Sequence, residues 1–301
     1  MNFIHKFYKD IVGAGIWNIG FIENTIDGIL NGEELLIRPI KHPFKDRWFA
    51  DPFILDYNDN QIILLVEDLL IKEDKGRISK LIIDRLTWKL VDVQIILELD
   101  THLSFPFIIR KNGRIYICPE NSKKGCCEMY EYDMETNSCI FIQRLCDEPL
   151  TDAVETSLFG EPLLFSTKLP HAEDKELGIY RYNKELGKYL LQNTYLFQEN
   201  IARNGGDFFL YKGVVYRPAQ ECNQTYGHGI VLQKVKKENE HFSFHNIRKL
   251  YSTVSKYNKR LHTFNIYKDC IVVDIGRDMH PFLSKVFFTI RRIILFVLCR
   301  E

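Results

Sequence analysis

Five segments of this sequence share one plan, and that repetition limits the fold more than any other feature. Each segment has a polar anchor, a hairpin turn, and an apolar strand that ends in a polar group. They read ADPFILDYNDNQIILLVED, SFPFIIRKNGRIYICPEN, TDAVETSLFGEPLLFSTK, NGGDFFLYKGVVYRPAQE and HTFNIYKDCIVVDIGRD. With Asp51, Pro106, Asp152, Gly206 and Thr263 as anchors, the steps are 55, 46, 54 and 57 residues. A unit recurring at this spacing falls in the range of propeller blades. Inside each unit, short runs rich in Ile, Val, Leu, Phe and Tyr are separated by Asn, Asp, Gly or Lys-Gly turns, which are hairpin signals.

Four of the units continue into an outer hairpin: KGRISKLIID, CCEMYEYD, LGIYRYN and YGHGIVLQKV. Four strands in each of five units predict an all-β chain, a five-bladed β-propeller over residues 1–280. No helical pattern separates the strands, as an α/β fold would need. The early run IWNIGFI (16–22) is expected to complete the last blade and close the ring. An apolar fraction of 46%, with 21 Phe and 15 Tyr, supplies the core.

Charge and cysteine usage exclude some functions. Lys plus Arg equals Asp plus Glu at 40 each, so no global field draws the chain to nucleic acid. The first residues, MNFIHKFYKDIVGAGIW, lack the apolar core of a signal peptide. Eight Cys include no C-x-x-C pair, so the expectation is reduced thiols in a cytoplasm, without disulfides or a metal site. GAGIWNIG (13–20) lacks the spacing of a dinucleotide loop. In HFSFH (241–245), two His share a strand face without a third ligand.

In a propeller the innermost strands converge at the mouths of a central channel, and a hairpin returns its second strand to the mouth where the first began. The repeat therefore predicts a ring of acids: Asp51, Glu67, Glu120, Asp152, Glu221 and Asp274. Arg203, Asn204, Arg217, Gln220 and His262 stand at equivalent places.

At these residues the chain resembles two groups of proteins. WFADPF, LTDAVET and PAQECNQTYG are similar to the three acid motifs of five-bladed propeller glycoside hydrolases of families 43, 32 and 68. The closer resemblance covers roughly residues 45–280. It is to the propeller domain at the N-terminus of glucosamine inositolphosphorylceramide transferases, through WFADPF, LLVED, SFPFI, CPEN, ARNGGD, YRPAQECNQTYG and LHTFN. In those plant proteins the recognised transferase domain is a separate one, C-terminal to the propeller. The resemblance implies the fold and sugar handling.

The likeness to the glycoside hydrolases implies that Asp51, Asp152 and Glu221 are catalytic carboxylates at a glycosyl centre. Glu67 and Glu120 join them as substrate-binding candidates. Arg203, Arg217 and His262 suit a phosphate or carboxylate of a nucleotide sugar or acidic glycan, and Gln220 and Tyr226 suit hydroxyls and ring stacking. The competing reading makes Asp51 a turn cap and the cations struts against acids such as Glu120 and Asp274. Neither cofactor nor metal is called for.

The last segment, HPFLSKVFFTIRRIILFVLCRE (280–301), mixes large apolar residues with Lys285, Arg291, Arg292 and Arg300. The Arg pair leaves its apolar run short of the ~20 residues that span a bilayer. Residues 281–301 are expected to form a basic amphipathic helix on an anionic membrane surface, or one packed on the propeller. Three functions follow. The first is a cytoplasmic, membrane-peripheral glycosyltransferase of bacterial surface-polysaccharide assembly, using a sugar donor and a glycan acceptor. The second is a propeller glycoside hydrolase, and the third a non-catalytic glycan-binding propeller that partners a transferase.

Overall fold

The computed structural model describes residues 15–279. Its twenty strands form five four-stranded sheets around one axis. Blade one contains β3 (Arg47–Tyr57), β4 (Gln61–Leu70), β5 (Lys75–Asp84) and β6 (Lys89–Leu97). Blade two contains β7 (Ser104–Lys111), β8 (Arg114–Glu120), β9 (Cys127–Asp133) and β10 (Ser138–Cys146). Blade three runs from β11 (Leu150–Thr156) and β12 (Leu163–Lys168) to β13 (Glu176–Asn183) and β14 (Lys188–Leu196). Blade four has β15 (Phe209–Tyr211), β16 (Val214–Glu221), β17 (Gly229–Glu238) and β18 (His241–Leu250).

The fifth blade joins the two ends of the chain. Its order is β19 (Phe264–Tyr267), β20 (Cys270–Asp278), β1 (Gly15–Ile22) and β2 (Ile37–Pro39). The antiparallel register of β1 on β20 runs from Gly15 opposite Asp278 to Ile22 opposite Ile271. The ring is thus closed by backbone hydrogen bonds, as the run at 16–22 predicted. The only α-helix among the described residues is the single turn α1 (Ile26–Leu30), capped by the Thr25 hydroxyl. The helix expected over 281–301 lies outside the described residues.

Local chemistry sets the hairpins. Asn112 and Gly113 between β7 and β8 have φ of +52° and +74°, and Lys212 and Gly213 between β15 and β16 have +48° and +75°. Two-residue turns of this kind match the twist of the strands they join. Aromatic side chains fill the spaces between blades. Phe53 and Phe105 meet edge to face at 5.0 Å between blades one and two. Phe165 contacts Phe208 at 4.8 Å and Phe242 at 5.4 Å between blades three and four.

The repeated anchor has a physical form. Asp51, Phe105, Asp152 and Gly206 all have positive φ, at +49°, +43°, +46° and +149°. In the first three blades the strand register slips at the same point, between Ala50 and Phe53, Ser104 and Phe107, and Thr151 and Val154. Each is a β-bulge that bends the inner strand at the channel and releases an N–H from the ladder. The anchor of blade two is therefore Phe105, one residue before the Pro106 read from sequence.

Candidate functional site

Released N–H groups need acceptors, and side chains of neighbouring blades provide them. The Asp51 N–H donates to Asp274 Oδ2 at 3.0 Å, and the Phe105 N–H donates to Asp51 Oδ2 at 3.0 Å. The Asp152 N–H donates to Glu120 Oε2 at 3.0 Å. Between blades four and five an amide takes the same role, with the Asp207 N–H donating to Asn265 Oδ1 at 2.8 Å. Much of the predicted acid ring thus holds the ring of blades together. It also faces open space at one mouth.

That space is a cavity of about 690 Å³, within the usual range for a small-molecule site. Asp51, Glu67, Glu120, Arg203, Tyr226 and His262, all expected from sequence, line it. His262 stacks on Trp17 at 4.0 Å between ring centres, and its Nδ1 lies 2.6 Å from Asp274 Oδ2. Its Nε2 lies 3.4 Å from Asp51 Oδ1. Tyr226 meets His262 edge-on and covers the Arg203 guanidinium at 5.3 Å.

Asp152 lies directly behind Arg203. The guanidinium donates to Asp152 Oδ2 at 2.6 Å and Oδ1 at 3.2 Å, and to Glu120 Oε2 at 3.1 Å. Gln220 donates a further bond to Asp152 Oδ2, at 2.6 Å. Two expected site residues point elsewhere. Arg217 is fully buried inside blade four, between the rings of Phe197 and Phe244. It donates to Asn204 Oδ1, Gln233 Oε1 and the carbonyls of Ile201 and Ala202. Glu221 turns to His228 Nδ1 at 2.6 Å and accepts the Asn223 N–H at 3.0 Å.

Register explains the difference. Glu67 stands opposite Ala50, and Glu120 opposite Ser104, each one residue before an anchor. Thr167, opposite Thr151, fills that place in blade three. In blade four the Asn204–Ala219 bridge and the Gly205 N–H to Pro218 bond give the position to Pro218. Glu221 lies three residues beyond it.

Burial sets the proton inventory. Burial, then the charges of Glu67, Asp152 and Asp274, raise Asp51 well above the ordinary carboxylate range. Glu120 is pushed up to about 8, chiefly by burial, although Arg203 pulls the other way. Burial also raises Asp274, but contact with His262 and bonds from the His262 and Asp51 N–H groups hold it below its usual value. At neutral pH the mouth therefore presents Glu120 as a carboxylic acid and Asp274 as a carboxylate. Burial lowers His102, but its partner Glu67 raises it further.

Sequence reading missed His102, Trp48 and Arg260 on the cavity wall. A signal existed. Trp48, His102 and Arg203 each stand three residues before a positive-φ anchor, and Arg260 stands three before Thr263. His102 accepts the Gly76 N–H on Nδ1 at 3.1 Å, so its Nε2 carries the proton that faces Glu67 Oε1 at 3.1 Å. Asp51, His262 and Asp274 offer three ligand atoms within 4.8 Å of one another, a spacing that suits a cation. The N–H groups of Asp51, His262 and Thr263 already donate to Asp274.

The comparisons with known proteins agree with this architecture. Residues 38–271 match the family model described as glucosamine inositolphosphorylceramide transferase 1, N-terminal. The chain belongs to that family. In this family, the glucosamine inositolphosphorylceramide transferase 1 of japonica rice is 30% identical over 208 residues, 66% of this chain and 28% of the relative. The Arabidopsis thaliana protein of the same name is 28% identical over 210 residues, 62% of this chain and 25% of the relative. This member thus spans little more than a quarter of the curated relatives it matches. Among solved structures, the family fold is shared by the RS223 β-xylosidase, at a TM-score of 0.52 and 11% identity, covering 77% of this chain and 92% of that one. A family 43 enzyme from Xanthomonas citri bound to xylose aligns at a TM-score of 0.53 and 10% identity, covering 77% and 88%.

Proposed function

We propose that the cavity is a carbohydrate-active site that works in glycosyl transfer. The observation that carries this reading is the convergence on one cavity of Asp51 and Glu120, buried acids from two blades, both raised by burial, with Glu120 pushed up to about 8. A carboxylic acid held in that state can protonate a leaving oxygen, while a neighbouring carboxylate such as Glu67 stabilises the positive charge of an oxocarbenium-like centre. Asp152 positions Arg203 and, through its N–H, Glu120. The match to a transferase-named family supports a sugar donor and a glycan acceptor. The basic apolar segment at 280–301 supports a place at the inner face of a cell membrane, in bacterial surface-glycan assembly.

A second reading, glycoside hydrolysis, is favoured by the same carboxylates, because water in place of an acceptor hydroxyl gives the other reaction. One assay separates these readings: the protein is incubated with a panel of sugar donors and glycosides, with and without saccharide acceptors, and products are resolved by mass spectrometry. Transfer predicts an acceptor-dependent product that Asp51→Asn and Glu120→Gln each reduce about 10²–10⁴-fold, the usual weight of a general acid. Hydrolysis predicts release of free sugar without an acceptor. Turnover unchanged in both folded variants would refute catalysis by these acids. Saccharide binding without any turnover would leave the binding-module reading.

A further inference from the structure

We propose that His102 is a positioning residue: it anchors one oxygen of Glu67, so that the other is held ready for the reacting sugar. The inference rests on the glycosyl-transfer reading and adds to it a residue that acts through Glu67. Glu67 and Glu120 occupy the same register position in blades one and two, but they are held differently. Glu120 accepts the Ser122 hydroxyl on Oε1 at 2.9 Å, and the Asp152 N–H and Arg203 guanidinium on Oε2 at 3.0 and 3.1 Å. Both of its oxygens thus serve the fold. Glu67 is 5% exposed, and among the described residues only His102 brings a donor to it, at Oε1. A carboxylate with one oxygen anchored and the other open can face a developing positive charge without first turning.

The contact is built from blade one and the loop that enters blade two. His102 lies in that loop, between β6 and β7. Its Nδ1 accepts the Gly76 N–H at 3.1 Å, and the next residue, Leu103, donates its N–H to the Gly76 carbonyl at 2.9 Å. With Nδ1 an acceptor, the neutral imidazole carries its proton on Nε2, 3.1 Å from Glu67 Oε1. Gly76 makes room for the whole arrangement. A Cβ there would stand 2.5 Å from the Leu103 carbonyl oxygen, 2.7 Å from Glu67 Oε1 and 3.0 Å from His102 Cε1. The missing side chain therefore lets a backbone N–H, an imidazole and a carboxyl group meet at one point of the cavity wall. His102 and Glu67 both line that wall.

Two amide variants divide the contacts of the imidazole. In His102→Asn the side-chain oxygen can replace Nδ1 and keep the Gly76 N–H, but nothing reaches Glu67. In His102→Gln the amide nitrogen can replace Nε2 and keep the Glu67 contact, while the Gly76 bond is lost. Both are assayed in the full chain, on the member of the panel of sugar donors and glycosides that turns over fastest. His102→Asn should lower kcat about tenfold to a hundredfold, the range for losing one hydrogen bond to a charged group. Its KM should stay within about twofold and its melting curve should match the parent. His102→Gln should recover most of the lost kcat even where its melting point falls. In an NMR titration of the imidazole, Glu67→Gln should lower the His102 pKa, leaving Glu120 and Lys123 as the other charges that act on it. A kcat that follows the melting point, with Asn the better substitute, would make His102 a structural cap and overturn the inference alone. An unchanged His102 titration in Glu67→Gln would also overturn it. No turnover by the parent on any member of the panel would refute the glycosyl-transfer reading, and the inference with it.

Discussion

Replacing Arg203 by Met should destabilise the propeller more than any other single change at the mouth. The guanidinium makes three hydrogen bonds to two carboxyl groups, at 2.6, 3.2 and 3.1 Å. Side-chain exposure is 11% for Arg203 and Glu120 and 2% for Asp152, so solvent screens little of the interaction. Hydrogen bonds to charged groups contribute about 1.5–3 kcal/mol each, and breaking a buried pair by removing one partner typically costs about 3–5 kcal/mol. Gln220 still donates to Asp152 in the variant, and Glu120 is largely protonated at neutral pH, so the lower part of that range is expected.

The pH dependence carries a sign. The Glu120 value rises from 4.5 unfolded to about 8 folded, so between these limits the folded state binds the extra proton. Its contribution is complete below about 4.5 and is lost as pH rises through about 8. Arg203 is the larger of the two neighbours that lower this value, ahead of Ser122, so Arg203→Met should move the loss to higher pH. Urea unfolding at pH 5, 7 and 9, with a double-mutant cycle against Asp152→Asn, measures both effects. A loss under about 1 kcal/mol, or coupling within the error of additivity, would show that the pair contributes nothing beyond surface ion pairs.

Two other outcomes are expected. Arg217→Met should cost several kcal/mol, because Asn204, Gln233, Ile201 and Ala202 lose the donor to a buried oxygen, at about 1–3 kcal/mol for each orphaned acceptor. Saccharide affinity per folded molecule should stay unchanged; a selective loss of affinity with wild-type stability would return Arg217 to the binding site. Deletion of residues 281–301 should release the protein from anionic liposomes and leave the melting curve of the propeller intact. Sedimentation that shows no binding by the full chain at low salt would end the membrane proposal.

The sequence by itself determined the blades. Alternating apolar runs between turns such as Asn112–Gly113 permit strands and little else, and five similar units must close into a ring to bury both faces of each sheet. It also placed acids at recurring positions, because an acceptor beside each bulge is a local requirement repeated from blade to blade. Tertiary structure decided which of those acids serve the cavity. Glu67 and Glu120 share a register position that Pro218 takes in blade four, so Glu221, three residues along, turns away to His228. A shift of that size follows from bulges and cross-strand bonds, which a residue pattern does not encode. The pairing of Arg203 with Asp152 and Glu120 was likewise undecided until separate blades met. Desolvation, a property of the closed ring, raises Asp51 above the ordinary carboxylate range and pushes Glu120 up to about 8.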